Sequence, residues 1–235
     1  MFNEASKHGW LFIVKDLLKD ENVNQYDVRS AFNEACMNGH LDIVEGMLTK
    51  FGKDIYNIES ILTGLCSNPK NKEVAKFLIS QYKNQLRLFA SVMPHACEFG
   101  WTEVVELLLE DINHTEIEMK EVFIVVCTRG WEEIAQILLD EIDHEEFDMK
   151  SAMTEASRSG EEDIVQLLFQ KVKPEKFDIQ MAIDAASQNH MHQNIVYQLL
   201  QRNCSAKFEL NLLKKKAEEH DWPKVLTMIR KSYFI

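Results

Sequence analysis

Proline and glycine are scarce, with 4 and 8 among 235 residues. Folds made of many strands and tight turns draw heavily on both, so this shortage argues against a sheet-rich architecture. Long apolar runs are missing as well. The longest, Val122–Cys127, falls far short of the roughly 20 residues that cross a bilayer. Met1–Leu18 carries Glu4 early and Lys15 inside its apolar stretch, so it has neither the basic opening nor the unbroken apolar core of a secretory signal. Five cysteines in a chain of this length do not make a disulfide scaffold, and a reducing, cytoplasmic home is expected. Basic residues are the minority charge, 26 against 38 acidic, for a net of −12. That balance argues against nucleic acid or an anionic membrane as partner. Phosphate loops, nucleophile elbows and zinc-protease helices are all lacking. No catalytic residue, cofactor or metal is expected.

What the chain does have is an internal repeat, the feature to look for first. Met1–Trp10 reads MFNEASKHGW, and Ala31–His40 reads AFNEACMNGH. One column of small or apolar residues runs Ala5, Ala35, Leu65, Ala96, Val126, Ala156, Ala186, Ala217, in steps of 30 or 31. Eight repeats result, over about 1–26, 27–56, 57–87, 88–117, 118–147, 148–177, 178–208 and 209–235, read as one domain. Within a repeat the apolar spacing is helical. Phe32, Ala35 and Cys36 share one face; Ile43, Val44, Met47 and Leu48 form a stripe on a second helix. Between them stands Gly39, where the chain must reverse; Gly9, Gly100, Gly130 and Gly160 fill the same slot, and Pro69, His190 and Asp221 replace it elsewhere. Asp27, Asn57, Asp148 and Asp178 stand where first helices need an N-cap. The apolar residues flanking them are expected to anchor the loop. LRLF (Leu86–Phe89) breaks this marker in repeat 4. A single helix hairpin cannot bury its own apolar face, so stacking must complete the core.

NGHLDIVEGML (Asn38–Leu48), GWTEVVELLL (Gly100–Leu109) and GEEDIVQLLF (Gly160–Phe169) resemble the middle of the ankyrin repeat. The resemblance covers nearly the whole chain and is most specific in the second helix. It departs where the family has T-P-L-H, since SAFN (Ser30–Asn33), SVMP (Ser91–Pro94) and SAMT (Ser151–Thr154) stand there, and in a repeat shorter than the family's usual ~33 residues. The missing residues fall where ankyrin proteins project a β-hairpin. The resemblance implies an all-α solenoid of eight helix pairs with short loops and little or no hairpin.

Four cysteines, Cys36, Cys66, Cys97 and Cys127, form a column beside the alanines. Repeats stack about a helix diameter apart, beyond the reach of a disulfide, so a buried structural column is the better reading. Cys204 is the candidate exposed thiol. Trp10, Trp101, Trp131 and Trp222 each follow the turn, as half-buried covers or as an aromatic patch for a partner. Asp42, Glu73, Glu103, Glu133 and Asp163 open the second helices, where a carboxylate favours the helix dipole. His190, His192 and His220 lack the further ligand that would make a metal motif.

Charge is uneven. Residues 98–163 hold 20 acids and 4 bases, 164–235 hold 7 and 11, and 1–97 hold 11 of each. The four bases of the acidic middle, Lys120, Arg129, Lys150 and Arg158, all fall on first helices or their ends. In ankyrin arrays those columns line the concave side, where partners dock. The expected function is therefore a non-catalytic module that binds a partner protein or acidic peptide on its concave face, as a monomer. Candidate contact residues are Arg29, Met37, Phe99, Lys120, Thr128, Arg129, Lys150 and Arg158. The bland alternative has the cations merely offsetting neighbours such as Glu121 and Glu155. Two rival functions remain: a scaffold segment of a larger multidomain protein, since the chain starts inside a first helix and stops after a second one, and an enzyme with a site in the groove.

Overall fold

The computed structural model describes residues 1–82, 91–111, 117–202 and 210–232. LRLF and Cys204 lie outside the described residues. Sixteen α-helices and no strand occur among the described residues. They fall into two compact units, Met1–Ile117 and Glu118–Ile235. The first holds α1 (Phe2–Lys7), α2 (Leu11–Lys19), α3 (Val28–Met37), α4 (Leu41–Phe51), α5 (Ile58–Cys66), α6 (Lys72–Gln81), α7 (Val92–Glu98) and α8 (Thr102–Asp111). The second holds α9 (Met119–Arg129), α10 (Glu132–Glu141), α11 (Met149–Ser159), α12 (Glu162–Lys171), α13 (Ile179–Ala186), α14 (Gln193–Arg202), α15 (Leu210–Glu219) and α16 (Pro223–Ser232). Odd and even helices pair as hairpins. In the first unit α1, α3, α5 and α7 pack in sequence, and α2, α4, α6 and α8 do the same. In the second, α9, α11 and α13 pack in sequence, as do α10, α12, α14 and α16. Each unit is thus four helix pairs, as the repeat predicts.

The caps are where the sequence puts them. Asp27, Asn57, Asp148 and Asp178 accept from the backbone N–H of Ser30, Ser60, Ser151 and Met181 at 3.0–3.3 Å. Each such bond satisfies a donor that the first helical turn otherwise leaves open. At the other end, Gly130 and Gly160 sit in the left-handed region at φ +73° and +90°. The next residue, Trp131 or Glu161, then donates back to the carbonyl of Val126 or Ala156 at 3.2 and 3.0 Å. This six-residue closure ends the helix on the small column itself. Asp221 takes the glycine's place at φ 54°, and Trp222 still closes onto Ala217 at 2.9 Å.

Loops fold back on their own repeat. Phe2 meets Tyr26, Phe32 stacks on Tyr56 and Phe123 on Phe147, with centroids 5.6, 3.7 and 4.3 Å apart. One-turn 3-10 helices at Val23–Gln25, His144–Glu146 and Pro174–Lys176 take the place of hairpin fingers. The alanine column and the four column cysteines are fully buried. Burial pushes those thiols up, to about 12 for Cys66 and Cys97, so they stay protonated and pack as small apolar groups. The cysteines are free.

Candidate functional site

First helices carry the candidate residues because their outward columns are the part of the repeat that the core does not dictate. In the second unit, α9 and α11 pack side by side and bring five candidates together. Lys120 and Lys150 are the second residues of their helices; Thr128, Arg129 and Arg158 lie in the last turns. The four cations are exposed and Thr128 is half-buried. The Thr128 hydroxyl donates to the Ile124 carbonyl at 2.7 Å. Arg158 pairs with Glu155 one turn before it, at 3.2 Å. Asp148 sits between the two lysine-bearing turns electrically. The Ser151 hydroxyl and N–H hold its carboxyl below the usual range, with smaller help from the Lys150 N–H and the Lys120 charge. Arg158 and Lys120 are therefore partly offset by carboxylates, as the bland reading anticipates.

The first unit disperses its candidates. Arg29 is exposed at the start of α3, beside a shallow cleft lined by Tyr26, Asp27, Phe51 and Ile55. Met37 ends α3 half-buried, and its thioether lies where a side chain at Gly64 of α5 would go. It is a packing residue between neighbouring first helices. Phe99 follows α7 and is 39% exposed.

The tryptophan column splits. Trp101 and Trp222 are buried, while Trp131 is 38% and Trp10 51% exposed. Trp222 donates from its ring nitrogen to the His190 carbonyl of the previous repeat at 2.7 Å. His40 likewise reaches the Lys7 carbonyl at 2.9 Å, and His220 the Ser187 carbonyl at 3.2 Å. In repeats 2 and 8 the residue after the turn, His40 or Trp222, thus acts as a latch onto the preceding repeat, whereas the buried Trp101 ring nitrogen has no such partner. Of the histidines near the last turns, the rings of His190 and His220 lie 6.4 Å apart and His192 is buried over Gly160; no group of three metal-ligating side chains occurs among the described residues. The acidic column lies exposed in the first turns of second helices, and Glu103 is lowered chiefly by Lys72.

Sequence reasoning named Trp10 but missed the exposed apolar cluster that it forms with Phe12 and Ile13 at the start of α2. Its signal was Phe12, an aromatic in the column that is acidic in five other repeats. No helix among the described residues is long and apolar enough to cross a membrane.

The family model for ankyrin repeats matches three copies over residues 93–181. No curated protein matches the chain. With one unit of two helices, a left-handed turn and a latch recurring on both sides of that stretch, the matched segment is not an isolated likeness: residues 93–181 of this chain are ankyrin repeats.

Proposed function

We propose that this chain holds a partner protein, with the first helices of the second unit as the contact face and an acidic segment as the ligand. Ankyrin repeats are in general protein–protein interaction modules and typically non-catalytic. The observation that carries the finer reading is a separation of charge by helix. α9 and α11 each hold two bases and one acid; α10 holds four acids and no base, and α12 two acids and one lysine. Within these four helices, bases thus gather on the first row and acids on the second; α13 and α16 do not continue the pattern. A negatively charged peptide laid along the first-helix row meets Lys120 and Lys150 while the carboxylates of α10 and α12 sit on the second row. Arginine and lysine in such a row favour carboxylate or phosphate groups on an extended chain.

The test is a fluorescently labelled glutamate-rich peptide, with and without phosphoserine, titrated with the full chain at low and physiological salt. Reversing Lys120 and Lys150 together to Glu is expected to cost about 1–2 kcal/mol, roughly a five- to thirtyfold loss of affinity that shrinks as salt rises. Equal affinity for parent and double variant would end this reading.

A further inference from the structure

The repeat assigns a chemistry to each second-helix position, and α2 departs from it on one side. The second residue of the second helix is Asp42, Glu73, Glu103, Glu133 or Asp163 in five repeats, exposed and acidic. In α2 that residue is Phe12, 85% exposed. The next position holds Ile43, Val74, Val104, Ile164, Ile195 and Val225, all buried, in helices that each have the preceding second helix packed on them. In α2 it holds Ile13, 43% exposed against 2% for Ile43. Trp10, whose column mates Trp101 and Trp222 are buried, stands beside them, and the segment Gly9–Ile13 lines a single shallow apolar cleft. The open face is a continuation of the surface by which one repeat stacks on the next.

We propose that this face of α2 pairs with the same face of a second copy of the chain, giving a reversible twofold dimer in place of the monomer that the sequence suggests. Size and charge select that occupant. Aromatic side chains carry about 150–250 Å² each, so Trp10, Phe12 and Ile13 together expose roughly 400 Å² of apolar surface. Two such patches bury about 800 Å² before any rim is counted, the scale of a weak, reversible contact. A contiguous patch of this size matches the largest apolar patch of an ordinary monomer, which is often functional. Charge permits self-pairing here. Residues 1–26 hold four carboxylates against Lys7, Lys15 and Lys19, in a chain whose net charge is −12. Lys19 is already paired with Asp16 at 3.0 Å, and His8 with Glu4 at 3.4 Å. Two copies meeting at α2 bring together nearly neutral surfaces, whereas contact through the acidic middle opposes like charges. A twofold axis places the same patch on both sides, so the aromatics of one copy meet those of the other. This pairing goes beyond the recognition reading. It uses a different face, and its test needs no peptide, so either can fail without the other.

The experiment is sedimentation of the full chain from roughly 1 to 200 µM, the range in which a contact of this size dissociates. The parent is expected to rise from the 27.4 kDa of one chain toward twice that mass. Phe12→Asp gives α2 the residue type that its sibling helices carry, so the fold accepts it, and it is expected to move the midpoint at least roughly tenfold upward. Trp10→His, which copies His40, does the same to a smaller degree. Met191→Asp, at an exposed apolar residue of the second unit, leaves the midpoint unchanged. The proposal falls if the parent keeps the mass of one chain throughout. It falls equally if Phe12→Asp associates like the parent while keeping the parent's melting curve, or if Met191→Asp weakens association as much as Phe12→Asp.

Discussion

The turn after α11 and the turn after α5 do the same job with different parts. After α11 the chain passes through Gly160 in the left-handed region, and Glu161 closes onto Ala156. The buried His192 ring of the next repeat then covers the glycine. After α5 there is no glycine. Ser67 stays helical, its hydroxyl donates to the Gly64 carbonyl at 2.7 Å, and a 3-10 turn at Pro69–Asn71 makes the reversal. This version leaves Asn71 buried with its side-chain oxygen unpaired. Yet Leu65 and Ala156, the column residues beneath the two turns, are both fully buried. The core does not depend on which turn is used. Turn and cap supply local precision, and each repeat finds its own combination.

The largest test of that comparison is the glycine itself. At Gly160 a methyl group would lie 2.6 Å from the His192 ring, in addition to the left-handed backbone. At Gly39 of the first unit, φ is +76° and the nearest atom, the Lys70 carbonyl oxygen, would be 3.1 Å away. Gly39→Ala should therefore cost about 1–2 kcal/mol, mainly the backbone penalty with a small shift of the Lys70 carbonyl, and Gly160→Ala about 1 kcal/mol more. Urea unfolding of the two variants measures this. If Gly39→Ala proves the more damaging, the ring over Gly160 is not what holds that turn.

The cap at Asp148 offers a smaller effect and a pH signature. Asp148→Ala removes the bond to the Ser151 N–H and should cost about 1 kcal/mol at pH 7. The carboxyl is held below its usual range when folded. It contributes stability above the unfolded value of about 3.9 and loses it as pH falls through the lower folded value. The gap in melting temperature between parent and variant should then narrow as pH falls below about 4. The contrast is α9, where Glu118 makes no side-chain cap. Substituting it there should change little at either pH, and a gap at Asp148 that persists in acid would assign the effect to something other than the ionised cap.

Much of this was legible because a repeat reads itself. A glycine at one turn says little, but Gly9, Gly39, Gly100, Gly130 and Gly160 in one slot require a left-handed turn, and all five have positive φ. The caps and the buried cysteines were legible in the same way, from column identity. Contacts between neighbours were not. Nothing in the residue types says that Met37 rests on Gly64, that His192 covers Gly160, or that Trp222 is buried while Trp10 is open. Those depend on the sideways offset of one hairpin on the next, which the repeat length does not encode. In the second unit four of the five candidate residues stand at exposed first-helix positions and Thr128 is half-buried; in the first, Arg29 and Phe99 are exposed and Met37 is not.

The finest test lies in the cysteine column, where serines take the thiol's place and two of them, Ser157 and Ser187, differ in consequence. The Ser157 hydroxyl is buried without a partner, while that of Ser187 donates to the Ile183 carbonyl at 2.5 Å. A thiol or methyl group needs no partner in the space that Cys127 fills one repeat earlier. Ser157→Ala should accordingly stabilise the second unit by up to about 1 kcal/mol, because a lone buried hydroxyl carries an uncompensated desolvation cost. Ser187→Ala removes a satisfied hydrogen bond and should destabilise by about 0.5–1.5 kcal/mol. Ser157→Cys should follow Ser157→Ala in sign, since it restores the residue of the column. Chemical denaturation of the three variants decides between two accounts of one position. Opposite signs at 157 and 187 mean that hydrogen bonding sets the choice of residue, and equal signs mean that side-chain volume does.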